Sequence, residues 1–353
     1  MKIGILTHHY INNFGAFLQA YSLQEAIKKL RPNDEVYIIN YINLKHFIIN
    51  TGGWFRFYRK KENAINWFQK INMPLTFATA RKKHLNMTKR CFKTAEVDDL
   101  NLDYIIVGSD EVWNYKENKG NSKIKFGEGL SCTRLIAYAP SVGSVTDSNI
   151  PAYVVKGIKH FGAVSARDDL TEKMASTIRG EKICRVVDPT FLSDIPIEKV
   201  LNIKHPYIMF YYCDGLPENE KKSILNYAKI NGYAVYGAGE CDKRYTSITV
   251  NLTPFQWVWM FKNASFVVTG TFHGVVFSLL YHRQFACYMT NQSRIEKVGS
   301  LLEEFNLANR RADGTADDIL RILQYKIDYE EFDRISQIKI VNSLKFLSDA
   351  ISH

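Results

Sequence analysis

Lys2-Ile-Gly-Ile-Leu-Thr-His-His-Tyr-Ile-Asn-Asn-Phe-Gly15 opens the chain with a short β-branched run, a polar loop and a glycine. A helical pattern follows, with apolar Ala20, Leu23, Ile27 and Leu30 spaced three and four apart. Val36 to Ile39 then returns to strand composition. Strand, helix and strand in this order predict a βαβ unit, which places two parallel strands in a sheet covered by helices.

The same alternation continues outward. Beyond a basic helical stretch, strands are expected at Tyr104 to Val107, Leu135 to Ala139, Ala163 to Ala166 and Cys184 to Val187. They complete a first Rossmann-like domain over residues 1–195. Pro196 and Pro206 mark a linker into a second series, with strands expected at Tyr207 to Tyr212, Ala234 to Tyr236, Ser265 to Thr269 and Phe285 to Tyr288. That second domain spans 196–328, and a closing helix over 329–353 is expected to pack back on the first. The fold class is therefore α/β: two Rossmann-like, doubly wound domains facing a cleft, with ligands at the carboxyl ends of the strands.

With 353 residues the chain has material for two domains, and 46% hydrophobic with 23% charged residues is the balance of a globular protein. Six scattered cysteines form no CxxC pair and no zinc spacing, so they are expected to be reduced, cytosolic and mostly buried. The amino terminus is no signal peptide. The long uncharged run from Ala264 to Tyr281 is interrupted by Gly270, His273 and Gly274, which suits strand, turn and helix better than a membrane span. Scattered carboxylates give no convincing metal site.

Charge is uneven. Between Arg56 and Lys93 stand eleven Lys or Arg residues against the single acid Glu62, although the whole chain carries only +10. Interleaved Trp54, Phe55, Phe57, Tyr58, Trp67, Phe68 and Phe77 make this insertion, about 54–93, a candidate surface for anionic lipid headgroups or an anionic substrate. A solvated helical insertion is the plain alternative. Nucleic acid is disfavoured, because no binding motif accompanies the charge.

Polar residues gather where strands should end. Asn13 and Gly15 sit in a loop opening a helix, where free amides and the helix dipole suit an anion, or where a simple cap would serve. Gly108-Ser-Asp-Glu-Val-Trp-Asn114 follows a strand, so Ser109 and Asp110 are candidates for binding or for capping. Arg167 could clamp a carboxylate or phosphate with its planar fork, or pair structurally with Asp168, Asp169 or Asp188. In Thr269-Gly-Thr-Phe-His-Gly274 a buried-type strand breaks and an apolar helix is expected to start near Gly274. That puts His273 in the turn, where an imidazole can give or take a proton.

In order along the chain, Asn13-Phe-Gly-Ala-Phe-Leu-Gln-Ala-Tyr-Ser-Leu23, Asp103 to Asn114, Ala139-Pro-Ser-Val-Gly143, Ser165-Ala-Arg-Asp168, Val187-Asp-Pro-Thr-Phe-Leu192 and Thr269 to Gly274 resemble the polysaccharide pyruvyl transferase family. Ser293-Arg294 and Leu301-Leu302 extend the likeness. It implies a layout like the GT-B glycosyltransferases, phosphoenolpyruvate as donor without further cofactor, and a sugar or lipid-linked oligosaccharide as acceptor. The product would be a pyruvate ketal; a cytoplasmic enzyme is expected, which the basic aromatic segment would hold near the inner membrane face. The resemblance matches His273 to the family's catalytic histidine and Arg167 to the arginine of its central motif, which makes these two the catalytic candidates; Asn13, Gly15, Ser109, Asp110, Ser141, Thr271, Gly274 and Arg294 are the candidates for substrate binding. Some members carry an arginine where Thr271 stands, so Arg294 or Arg283 would have to supply that cation, or the donor differs. A nucleotide-sugar glycosyltransferase and a non-catalytic glycan-binding subunit are the alternatives.

Overall fold

The computed structural model describes residues 1–57, 64–117, 120–132, 134–146, 149–213 and 215–352. Residues divide into two compact units: Met1–Gly53, Thr79–Ile195 and Ser336–His353 form the first, Trp54–Ala78 and Pro196–Ile335 the second.

The first unit is built on six parallel strands, β1 (Lys2–Leu6), β2 (Glu35–Ile38), β3 (Tyr104–Val107), β4 (Leu135–Ala137), β5 (Ala163–Ala166) and β6 (Cys184–Arg185), in the order β2-β1-β3-β4-β5-β6. Ile3 pairs with Val36 on one side and with Tyr104 on the other. All of β3 and β4 is buried, as expected of strands covered on both faces. The helices are α1 (Phe14–Leu30), α2 (Leu44–Gly53), α3 (Ala64–His84), α4 (Thr94–Asp98), α5 (Ala152–His160) and α6 (Asp169–Arg179). Asn13 starts α1 by accepting from the Ala16 amide, and Asp168 starts α6 by accepting from that of Thr171. Trp113 stacks on Phe126 at 5.8 Å and meets Phe161 edge-on at 5.7 Å in the core between sheet and helices.

The second unit has four parallel strands, β7 (Tyr207–Tyr211), β8 (Ala234–Gly237), β9 (Phe266–Thr269) and β10 (Gln284–Cys287), in the order β10-β9-β7-β8. Around them run α7 (Glu218–Ile230), α8 (Pro254–Asn263), α9 (Phe272–Leu280), α10 (Gln292–Glu304) and α11 (Ala316–Gln324), and α12 (Tyr329–Ser352) closes the chain. Ile208, Phe210, Val268 and Ala286 bury the sheet beneath Ile224 of α7 and Ile319 and Ile322 of α11.

Two expectations change. The basic aromatic insertion is not a single annex of the first unit: its Trp54–Ala78 part belongs to the second. Gln69 accepts from the amides of Val250 and Asn251 at 3.3 Å, and Thr76 donates to Asn251 at 2.7 Å, which holds this part of α3 to the second sheet's loops. Tyr58, counted among its aromatics, lies outside the described residues. The cysteines are free, but only Cys91 and Cys287 are buried and Cys184 is exposed. From Ser336 onward α12 belongs to the first unit. There Ser343 accepts from the Val187 amide at 3.0 Å, and Phe346 lies 6.2 Å from the Tyr138 ring. No helix among the described residues is long and apolar enough to cross a membrane.

Candidate active site

Each sheet reverses its strand order once, and at such a reversal the loops leave in opposite directions and open a crevice at the carboxyl ends. In the first unit this occurs between β1 and β3, in the second between β7 and β9. The motifs around Asn13 and Gly108 to Asn114 stand at the first of these places and Thr269 to Gly274 at the second, whereas those around Ser141, Arg167 and Asp188 follow β4, β5 and β6.

At the first, Thr7, His8 and His9 follow β1, and Gly108, Ser109 and Asp110 follow β3; Thr7, His8, His9 and Ser109 are buried. Gly108 takes a φ of 127°, and a Cβ there would lie 2.0 Å from the Tyr138 carbonyl oxygen, so only glycine lets the loop pass. Gln19, fully buried on α1, joins the two loops. It donates to the Thr7 hydroxyl at 2.9 Å and accepts from the Ser109 amide at 3.2 Å, while Thr7 donates to the Ser109 carbonyl at 3.1 Å. The Ser109 hydroxyl donates to the Ala139 carbonyl at 2.9 Å, and Ser141 accepts from the Gly143 amide at 3.1 Å. Both serines are fully buried, and these bonds hold the loops in which they stand. Asn13 is the cap of α1, and Gly15 is buried in its first turn.

Arg167 follows β5 and is 5% exposed. Its Nη1 donates to Asp188 at 2.7 Å, and its Nη2 lies 3.6 Å from Asp110. The structural ion pair is therefore made. Burial disfavours the guanidinium charge, but Asp188, Asp110 and Asp168 outweigh that and hold it more firmly protonated than usual. Asp110 is half-buried, with a φ of 77°.

A second polar group at this end joins His8 and His9, at the end of the first strand, to Lys125 and His46, which no sequence motif includes. Lys125 is buried, donates to the Gly120 carbonyl at 3.0 Å, and its Nζ meets Nε2 of His8. Burial pulls its ammonium down to about 7, against the pull of Glu117 and Asp110 in favour of charge. His8 is held well below its ordinary range by burial and by Lys125. The His46 ring lies tilted 5.4 Å from that of His8, bonds the Tyr10 hydroxyl at 3.0 Å, and reaches Glu117 at 4.0 Å. His9 falls to about 4 through burial, despite hydrogen bonds to Asn40 and the Thr7 carbonyl. An open polar hollow of about 560 Å³ lies beside these loops, lined by Asn114, Lys116, Glu117, Ser144, Val145 and Thr146.

In the second unit the site forms from the ends of β7, β9 and β10. Thr269 donates to the Tyr211 carbonyl at 2.9 Å and fixes β9 to β7 where both stop. Thr271 accepts from the Gly274 amide at 3.0 Å, so α9 begins at Phe272 and not near Gly274. His273 is therefore in the first turn of the helix, half-buried, with the Phe272 ring edge-on at 5.4 Å. A Cβ on Gly274 would lie 2.0 Å from the Thr269 hydroxyl, which is why the turn closes only on glycine. Asn291 caps α10, and in that helix's first turn Arg294 reaches the Tyr212 carbonyl at 3.3 Å. Neither α9 nor α10 has an acidic residue in its first turn, so both starts favour an anion.

Arg283 does not belong to this site. It precedes β10, at the amino edge of the sheet, and donates to the carbonyls of Tyr281 at 2.6 Å and Ala264 at 3.3 Å. Parallel pairing of β9 and β10 puts it at the edge opposite His273. Arg294 alone remains of the two cations considered for the place where Thr271 stands. Among the described residues no three His, Cys, Asp or Glu side chains group to hold a metal ion.

Solved structures offer distant likenesses. A Streptomyces sp. SF2575 glycosyltransferase, SsfS6, is 10% identical with both chains fully covered and a TM-score of 0.46. The E. coli heptosyltransferase WaaC with ADP is 12% identical over 92% of this chain and 99% of its own, with a TM-score of 0.45. UDP-GlcNAc 2-epimerase from Methanocaldococcus jannaschii is 12% identical over 96% and 99%, at 0.49. None of these bears on this chain's donor. No curated protein matches the chain by sequence. The polysaccharide pyruvyl transferase profile matches residues 13–292, from the cap of α1 to the start of α10, and so takes in both crevices: the chain belongs to the polysaccharide pyruvyl transferase family.

Proposed function

We propose that this transferase moves the pyruvyl group of phosphoenolpyruvate onto a sugar of a cell-surface polysaccharide or its lipid-linked precursor and closes a pyruvate ketal. The supporting observation is the pairing of His273 with two helix starts and Arg294 at the carboxyl ends of β9 and β10. Phosphoenolpyruvate is an enol ester with anionic groups on both sides of the reacting carbon. Helix amides and a guanidinium suit those anions, and an imidazole among them can protonate the methylene carbon. Protonation leaves a cationic centre that one sugar hydroxyl attacks, its proton passing to the imidazole that has just given one up. Phosphate departs with the former enol oxygen, and a second hydroxyl closes the ring as its proton leaves to a base.

Arg167 enters as a positioning residue. It is buried between Asp188 and Asp110, so its effect reaches a substrate through Asp110 and the loop that carries it. The polar hollow beside that loop is of a volume that accommodates a sugar.

Incubation with phosphoenolpyruvate and a panel of candidate glycans should release phosphate and add a pyruvyl mass to one acceptor. His273→Ala should lower turnover by about 10²-fold or more while leaving the melting temperature unchanged. Stabilisation by a nucleotide but not by phosphoenolpyruvate would count against this donor.

A further inference from the structure

The outward face of α3 has the wrong polarity for a helix that meets only water. Inward it turns Asn66, Lys70, Met73 and Phe77, all buried. Outward it turns Ile65, Phe68, Asn72 and Leu75, a spacing of three, four and three that forms one stripe. Phe68 is 58% exposed and Leu75 68%, and Ile65 is exposed to a similar degree. The preceding segment adds to the same display. Phe55 and Phe57 are each about half exposed, and the segment is pinned to the helix because Trp67 donates to the Phe55 carbonyl at 3.3 Å and meets the Phe57 ring edge-on at 6.3 Å. Lys70 donates to the Arg56 carbonyl at 2.6 Å and fastens it from the inner side.

Exposed apolar side chains scattered singly need no explanation, but this is a grouped set of Phe, Ile and Leu on one short piece of chain. We infer that this face docks on an anionic lipid bilayer. Charge selects that occupant: Lys70 is buried, but the sequence between Phe55 and Ile65 still carries Arg56, Arg59, Lys60 and Lys61 against the single acid Glu62. Apolar side chains beside excess cations match lipid headgroups above an acyl boundary. A second copy of the chain would bring like charges together, which opposes self-association through this face. The inference does not depend on which donor the enzyme uses.

The test uses the full chain and vesicles of phosphatidylcholine with and without phosphatidylglycerol. The protein should sediment with the mixed vesicles, release at high salt, and stay in solution with phosphatidylcholine alone. Because both side chains are exposed, the double variant Phe68→Ser, Leu75→Ser should keep the native circular dichroism spectrum yet bind at least about tenfold more weakly. Transfer to a water-soluble acceptor should be unchanged in the variant, which separates docking from catalysis. Equal sedimentation of variant and native chain would overturn the inference. So would failure to bind anionic vesicles, or a dimer in sedimentation velocity that the double variant dissolves.

Discussion

At the scale of single residues, the informative positions are those where a side chain is already committed. Thr271 spends its oxygen on the Gly274 amide, and Gly274 leaves room for Thr269. In an ordinary helix Gly→Ala gains about 1 kcal/mol. Here Gly274→Ala should reverse that sign and cost about 1–3 kcal/mol, because the new methyl meets the Thr269 oxygen at 2.0 Å. A urea midpoint above that of the native protein would disprove the close packing. Much of this site was legible, since Thr269 to Gly274 is local and its motif contiguous. Gln19 and Lys125 were not. Their decisive partners, Ser109 and His8, lie 90 and 117 positions away, and no local pattern announces a contact that only the sheet order creates.

The elements themselves were the most readable level. All ten strands fall where β-branched and apolar runs predicted them, because strands buried on both faces need continuous apolar sequence. Ends shifted by a residue or two where caps decide. The start of α9 moved because a threonine oxygen is an acceptor that hydropathy does not register. Allegiance of helices was harder to foresee, as α3 shows, since a polar contact such as Gln69 with Val250 leaves no periodic trace. For α12, Leu347 and Ile351 are fully buried against the first unit. Leu347→Ala should cost about 2–5 kcal/mol, measured by chemical denaturation, even though the residue is far in sequence from every strand.

For the whole molecule, the buried imidazoles set a limit in acid. His9 has an ordinary value of 6.5 and falls to about 4 when folded, and His8 is shifted in the same direction. The unfolded chain therefore binds protons that the native one refuses. Stability is complete above pH 6.5 and drains as pH falls toward 4, by about 3 kcal/mol at pH 4 from His9 alone. Denaturation at about pH 8 and about pH 4.5 should show this loss, and His9→Gln should flatten it. A native protein equally stable at both values would contradict the burial of these rings.

The division of the chain has one more consequence. Residues 54–78 leave the first unit for the second and return, and the last eighteen residues come back again, so the backbone passes between the units four times. A cut at the linker before Pro196 would strip one fragment of its terminal helix and the other of the start of α3. Neither half then carries every segment of its own unit. Residues 1–195 and 196–353 made separately should each stay largely unfolded, whereas mixing them should restore native circular dichroism by fragment complementation.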